Sequence, residues 1–161
     1  CEVAILHGEL VPEKIKSIMI PYSHNIHTSL ATEIAPALAN YFNCLITIVS
    51  VYEPGVEQSE KERREAEIKS IISKNNINAQ IKVIHDEDIL KGIVNESNTA
   101  DLIVMGGRSG DLVELLLGRS LTQEITEQAA CPVLWIKEFE EREPLWKLLL
   151  KPYNLSGAKN E

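Results

Sequence analysis

The chain switches repeatedly between two hydrophobic periods, and that alternation limits its folds more than any other feature. Five short apolar runs read as strands: "SIMIPYS" (17–23), "CLITIVSVYE" (44–53), "AQIKVIH" (79–85), "ADLIVMGG" (100–107) and "CPVLWIKEF" (131–139). Between them lie helical patterns. From Thr28 or Ser29, either a good N-cap, to about Phe42, the residues Leu30, Ile34, Ala37, Leu38 and Tyr41 recur at helical spacing, and Pro36 is expected to kink that helix. Helices are also expected over 57–76, 88–97 and 111–129. The charged first half of 57–76 faces solvent, with Ala66, Ile68, Ile71 and Ile72 as its buried side. Strands that alternate with helices through short connections run parallel, joined by right-handed crossovers. The predicted fold is therefore an open, five-stranded parallel α/β sheet of Rossmann type with helices on both faces, and "ADLIVMGG" is its central strand. Residues 1–15 form a lead-in with room for an edge strand, 16–139 the α/β domain, and 140–161 a C-terminal extension.

With 161 residues the chain suits one domain, and aromatics at 5% leave the core to branched aliphatics. A net charge of −8 repels phosphate backbones and argues against nucleic-acid binding. Cys1, Cys44 and Cys131 show no zinc spacing and suit a reducing compartment. His24 and His27 lack further ligands, so no metal site is expected, and the turn Asp86–Glu87–Asp88 is read as solvated carboxylates. No convincing set of base, nucleophile and metal ligands exists, and no enzymatic activity is expected. No stretch approaches the roughly 20 apolar residues of a membrane span. In the extension, Leu145, Trp146, Leu148, Leu149 and Leu150 follow Pro144 as a short apolar turn suited to a partner, a neighbouring protomer, the membrane interface or its own domain. The opening Cys1, in place of methionine, fits either a processed end or a piece of a longer protein.

The stretch "VMGGRSGDLVELLLGRS" (104–120) leaves the central strand and enters a helix. Glycine permits positive φ and close backbone approach, and unpaired amides at a helix start attract anions. Arg108 and Arg119 would add charge; Ser109 and Ser120 would add hydroxyls. Turns of this composition also arise for geometric reasons alone. In such sheets ligands sit beyond the strand carboxyl ends, where this loop and the turn "PYSHN" both lie.

The order of elements, and above all "ADLIVMGGRSGDLVELLLGRSLTQEITEQAACPVLWI", resembles the universal stress protein family over about residues 16 to 138. The resemblance implies the same α/β fold. It also implies a nucleotide site for ATP or AMP built from Pro21, Tyr22, Ser23, Gly106, Gly107, Arg108, Ser109, Gly110, Gly118, Arg119 and Ser120. In the family's nucleotide-binding branch the loop runs Gly-x-x-Gly, nine residues, then Gly-Ser or Gly-Thr, and an aspartate ends the first strand. Here, counted from Gly106, the fourth position is Ser109 and eight residues precede Gly118, whereas counted from Gly107 the partner is Gly110 and seven intervene. Arg119 replaces the small hydroxyl residue, and Ser23 takes the aspartate's place. Nucleotide binding is therefore expected to be weak or lost.

The lead-in "LHGELVPEKIKSIMIPYSHNIHTSLATEIAPALA" is similar to that of cytosolic universal-stress-type domains fused behind transporters, either amino-acid permeases or cation/proton antiporters. That likeness implies a regulatory or assembly domain on the cytosolic face of the cell membrane; the alternative is a stand-alone ATP- or AMP-binding sensor. The family resemblance further implies a homodimer through the last strand, at Pro132, Val133, Leu134, Trp135 and Ile136.

Overall fold

A computed structural model describes residues 2–22, 28–107 and 121–138. The apolar runs form β2 (Ser17–Tyr22), β3 (Leu45–Tyr52), β4 (Ala79–His85), β5 (Leu102–Gly107) and β6 (Val133–Glu138), preceded by a further strand, β1 (Glu2–His7). The helices are α1 (Thr28–Phe42), α2 (Gln58–Lys74), α3 (Ile89–Glu96) and α4 (Leu121–Gln128). The sheet order is β1-β6-β5-β2-β3-β4. Strands β2 to β6 are joined by parallel ladders, as the alternation requires; among the described strands only β1 runs antiparallel, against β6.

Both faces of the parallel sheet are covered, which is why its strands read as continuous apolar runs. On one face Ile18, Ile20, Ile46, Ile48, Leu102 and Val104 pack with Ala31 and Ala35 of α1 and Ile68 of α2. On the other, Met19, Val49, Val51, Ile103, Met105 and Val133 pack with Ile93 of α3 and Ile125 of α4. Each fully buried aliphatic side chain contributes about 1.5–3 kcal/mol. Pro36 lies inside α1, which continues through it to Phe42. Both α1 and α2 stop at an asparagine in the left-handed region, Asn43 and Asn76. In each case a six-residue closing bond follows, from Cys44 N–H to the Ala39 carbonyl and from Ile77 N–H to the Ile72 carbonyl, both at 3.0 Å. Ala66, expected on the buried side of α2, faces solvent instead, and Ile68 alone is fully buried there.

The sixth strand corrects the five-stranded expectation. The lead-in supplies it: β1 pairs residue for residue along β6, from Glu2 opposite Glu138 to His7 opposite Val133. Gly8, at φ +91°, then turns the chain close against Pro132, and Ile15 anchors it in the core. An apolar strand left with an open edge invites association, and β1 closes that edge. The edge of β6 expected to meet a second copy, at residues 132–136, is thus taken within the chain: β5 holds one side and β1 the other.

Asp101 closes the amino end of the central strand. Its Oδ2 accepts from Lys16 N–H, Ser17 N–H and Ser17 Oγ, each at 2.9 Å, and so ties the start of β2 to the start of β5. Burial alone pushes this carboxyl up, but the three donors outweigh it and hold the group below the usual carboxylate range.

One buried polar group stands out on β3. Ser50 is fully buried, and its Oγ has no hydrogen-bond partner among the described residues. Such a hydroxyl is desolvated without return, so Ser50→Ala is expected to leave stability unchanged or raise it by up to about 1 kcal/mol, read from the urea midpoint. A loss above about 1 kcal/mol would show that the hydroxyl is bonded in solution.

Candidate functional site

Parallel ladders bring the carboxyl ends of β2, β3, β4 and β5 to one rim. At the change of strand order, β2 pairs with β5 through Ile18–Leu102 and Met19–Ile103. Pro21 and Tyr22 end one strand beyond that rung, and Gly106 and Gly107 end the other. Ligands of open α/β sheets occupy this crevice. Pro21 brings no N–H to the ladder, and Gly106 brings no side chain. Of the other candidate residues, Ser23, Arg108, Ser109, Gly110, Gly118, Arg119 and Ser120 lie outside the described residues, as do His24 and His27.

The rim is braced by α2, whose Glu60, Arg63, Arg64 and Glu67 the sequence patterns do not single out. The Tyr22 phenol donates to Glu67 of α2. Burial first, and then the Glu67 carboxylate, raises the phenol's pKa above its ordinary value. Arg63 bridges Glu67 at 3.0 Å and Glu60 at 2.9 Å, and Arg64 reaches Glu60 at 2.8 Å. The Tyr52 hydroxyl donates to the Lys61 carbonyl at 3.2 Å, while the Arg64 guanidinium lies 5.5 Å and the Lys61 ammonium 5.8 Å from the centre of its ring. The charged half of α2 therefore does more than face water: it holds the ends of β2 and β3. The signal available in the sequence was a tyrosine at the last position of each of those strands, with a polar tip to be satisfied.

On the other face of the rim, α3 comes unusually close to β3. A Cβ on Gly92 would stand 2.9 Å from Val51 Cγ1 and 3.3 Å from Asp86 Cβ. The acidic turn is used locally. Asp86 accepts from Asp88 N–H at 3.1 Å, and Asp88 caps α3 by accepting from Leu90 N–H at 2.8 Å and Lys91 N–H at 3.3 Å. Two of the three carboxylates expected to be solvated thus shape the start of α3. Among the described residues no group of three or more His, Cys, Asp or Glu is placed to hold a metal ion.

A cleft of about 280 Å³ lies at the opposite, amino-terminal end of the strands, lined by Ser17, Thr47, Gln80, Lys82, Glu96 and Thr99 among others. Its charge is already internally matched, because Lys82 Nζ bonds Glu96 at 2.5 Å. The two described cysteines are not activated: burial pushes the Cys131 thiol up to about 11 and raises Cys44 as well.

The sequence profile of the Universal stress protein family matches residues 14–137. The chain belongs to that family. A family relative from Thermus aquaticus, the universal stress protein in the QAH/OAS sulfhydrylase 3' region, is 30% identical and aligns over 76% of this chain and 98% of its own. Two solved family structures share the fold. One, a universal stress protein in complex with cAMP, matches with a TM-score of 0.54 at 16% identity over 75% of this chain and 95% of its own. The other, a universal stress protein from Archaeoglobus fulgidus in complex with dAMP, matches with a TM-score of 0.56 at 16% identity over 78% and 99%. Among the described residues no helix is long and apolar enough to cross a membrane.

Proposed function

We propose that this chain is a binding and regulatory domain, not an enzyme, with a weakened adenine-nucleotide site in the crevice between the ends of β2 and β5. The observation that carries this reading is the meeting of Pro21–Tyr22 with Gly106–Gly107 at the change of strand order. That two solved family members hold cAMP and dAMP supports an adenine nucleotide as the ligand class. The weakness comes from Ser23, which cannot offer the ribose hydroxyls a charge-assisted bond, and from the shortened spacing to Gly118.

Thermal-shift titration with AMP, cAMP and ATP tests the proposal. The expected result is saturable stabilisation only at high ligand concentration. Ser23→Asp is expected to tighten binding about 10- to 100-fold, the equivalent of about 1.5–3 kcal/mol. No saturable stabilisation by any of the three, in the wild type and in Ser23→Asp alike, would overturn it.

The likeness of the lead-in to domains fused behind transporters supports a cytosolic regulatory or assembly role within an amino-acid permease or cation antiporter, in which the domain performs no transport itself. A stand-alone sensor is the competing reading. Fractionation of the native host separates them: the transporter reading expects the domain's antigen in the membrane fraction and resistant to high salt, and recovery in the soluble fraction sinks it.

A further inference from the structure

One face of α2 is charged where it meets the sheet. Glu60, Arg63, Arg64 and Glu67 stand three and four positions apart, so they form one stripe along the helix, and that stripe meets the last residues of β2 and β3. Glu67 is held from both sides: its Oε2 accepts from the Tyr22 phenol, and its Oε1 accepts from Arg63 Nη1 at 3.0 Å. Arg63 is fixed in turn by Glu60, which accepts from its Nε and its Nη2, each at 2.9 Å. Partly exposed ion pairs of this kind add little to stability. What they fix is direction. The Tyr22 ring already packs in the core, so its bond to Glu67 adds orientation rather than burial.

We propose that Glu67 is a positioning residue of the nucleotide crevice. It touches no ligand itself. Through the Tyr22 phenol it fixes the Pro21–Tyr22 end of β2 against Gly106–Gly107. The inference rests on the nucleotide reading above and adds to it a control point on α2, 45 positions from Tyr22 in the chain. The sign of its effect separates positioning from plain charge. A carboxylate beside the crevice repels an anionic ligand, so electrostatics alone makes removal of Glu67 tighten AMP binding. Positioning makes the same removal weaken it, because a strand end freed from α2 must be ordered again when the ligand arrives. A general effect on the helix is set apart by Glu65, an exposed residue of α2 that pairs with Lys69 at 2.7 Å.

Thermal-shift titration of the full chain with AMP, in the tighter-binding Ser23→Asp background, tests it. Glu67→Ala and Tyr22→Phe are each expected to weaken AMP affinity about 3- to 10-fold. Their combination is expected to be no weaker than either alone, since both remove the same bond. Glu67→Gln keeps an oxygen to accept from the phenol, and it is expected to return affinity to within about 2-fold of the background. Glu65→Ala is expected to stay within about 2-fold as well. Affinity unchanged or tightened by Glu67→Ala, losses that add in the double variant, Glu67→Gln as weak as Glu67→Ala, or an equal loss from Glu65→Ala would each overturn the inference while AMP still binds the background. A Ser23→Asp chain with no saturable stabilisation by AMP is a different result: it brings down the nucleotide reading, and this inference with it.

Discussion

Asp101→Ala is expected to lower stability by about 3 kcal/mol and the melting temperature by about 6–12 °C. A single carboxylate oxygen takes two backbone N–H groups and one hydroxyl, each at 2.9 Å, at the point where the starts of β2 and β5 meet. Alanine leaves those donors without their acceptor, and two of the three contacts are partly buried. Asp101→Asn keeps an oxygen acceptor but loses the charge, so it is expected to cost about half as much. The effect depends on pH in a fixed sense. The folded-state pKa is depressed, so the contribution is fully present above the unfolded value of about 3.9 and is lost as pH falls through the folded value. Urea denaturation at pH 7 and at pH 3 checks this: the gap between wild type and Asp101→Ala should narrow at the lower pH. A constant gap would mean that the aspartate acts through packing rather than through its charge.

Gly92→Ala is expected to destabilise the domain by about 2–3 kcal/mol, although alanine is the better helix former by about 1 kcal/mol. The added methyl would meet Val51 at 2.9 and 3.1 Å, and Val51 is a short, branched, buried side chain with no flexible end to swing away. Helix α3 must then lift from β3. Asp86, next to the same contact, shapes the entry to α3, so that turn is displaced along with the helix. Combining Gly92→Ala with Val51→Ala is expected to recover at least about 1 kcal/mol relative to additivity, as measured by a double-mutant cycle in urea. Strict additivity would show that the helix has room to spare.

The parallel sheet was legible because burial on both faces writes itself as unbroken apolar runs, "LITIVS" and "DLIVMGG" among them. The rim was legible for a related reason, since parallel strands carry their carboxyl ends to one side and so bring the ends of "SIMIPY" and "LIVMGG" together. What escaped notice was non-local. Asp101 and Ser17 are 84 positions apart, and Tyr22 and Glu67 are 45 apart, so neither pair shares any local period. The aspartate that opens "ADLIVMGG" looks like part of the strand until the sheet order places it beside the start of β2. The lead-in could be recognised only as a possible edge strand, because six residues carry no information about which strand they will join. The solvent-facing side of α2 was misjudged at Ala66 because a helix with few apolar residues has a poorly defined inner face.

The central claim is that any small molecule this domain holds sits at the carboxyl ends of β2 and β5, and it is tested most directly by mapping amide NMR shifts during titration with AMP. The account predicts progressive, saturable shifts at Tyr22, Val51, Tyr52, Asp86, Gly106 and Gly107, with Thr47, Gln80 and Lys82 unmoved. Shifts concentrated around the amino-terminal cleft at Thr47, Gln80 and Lys82, with the glycine rim silent, would contradict it.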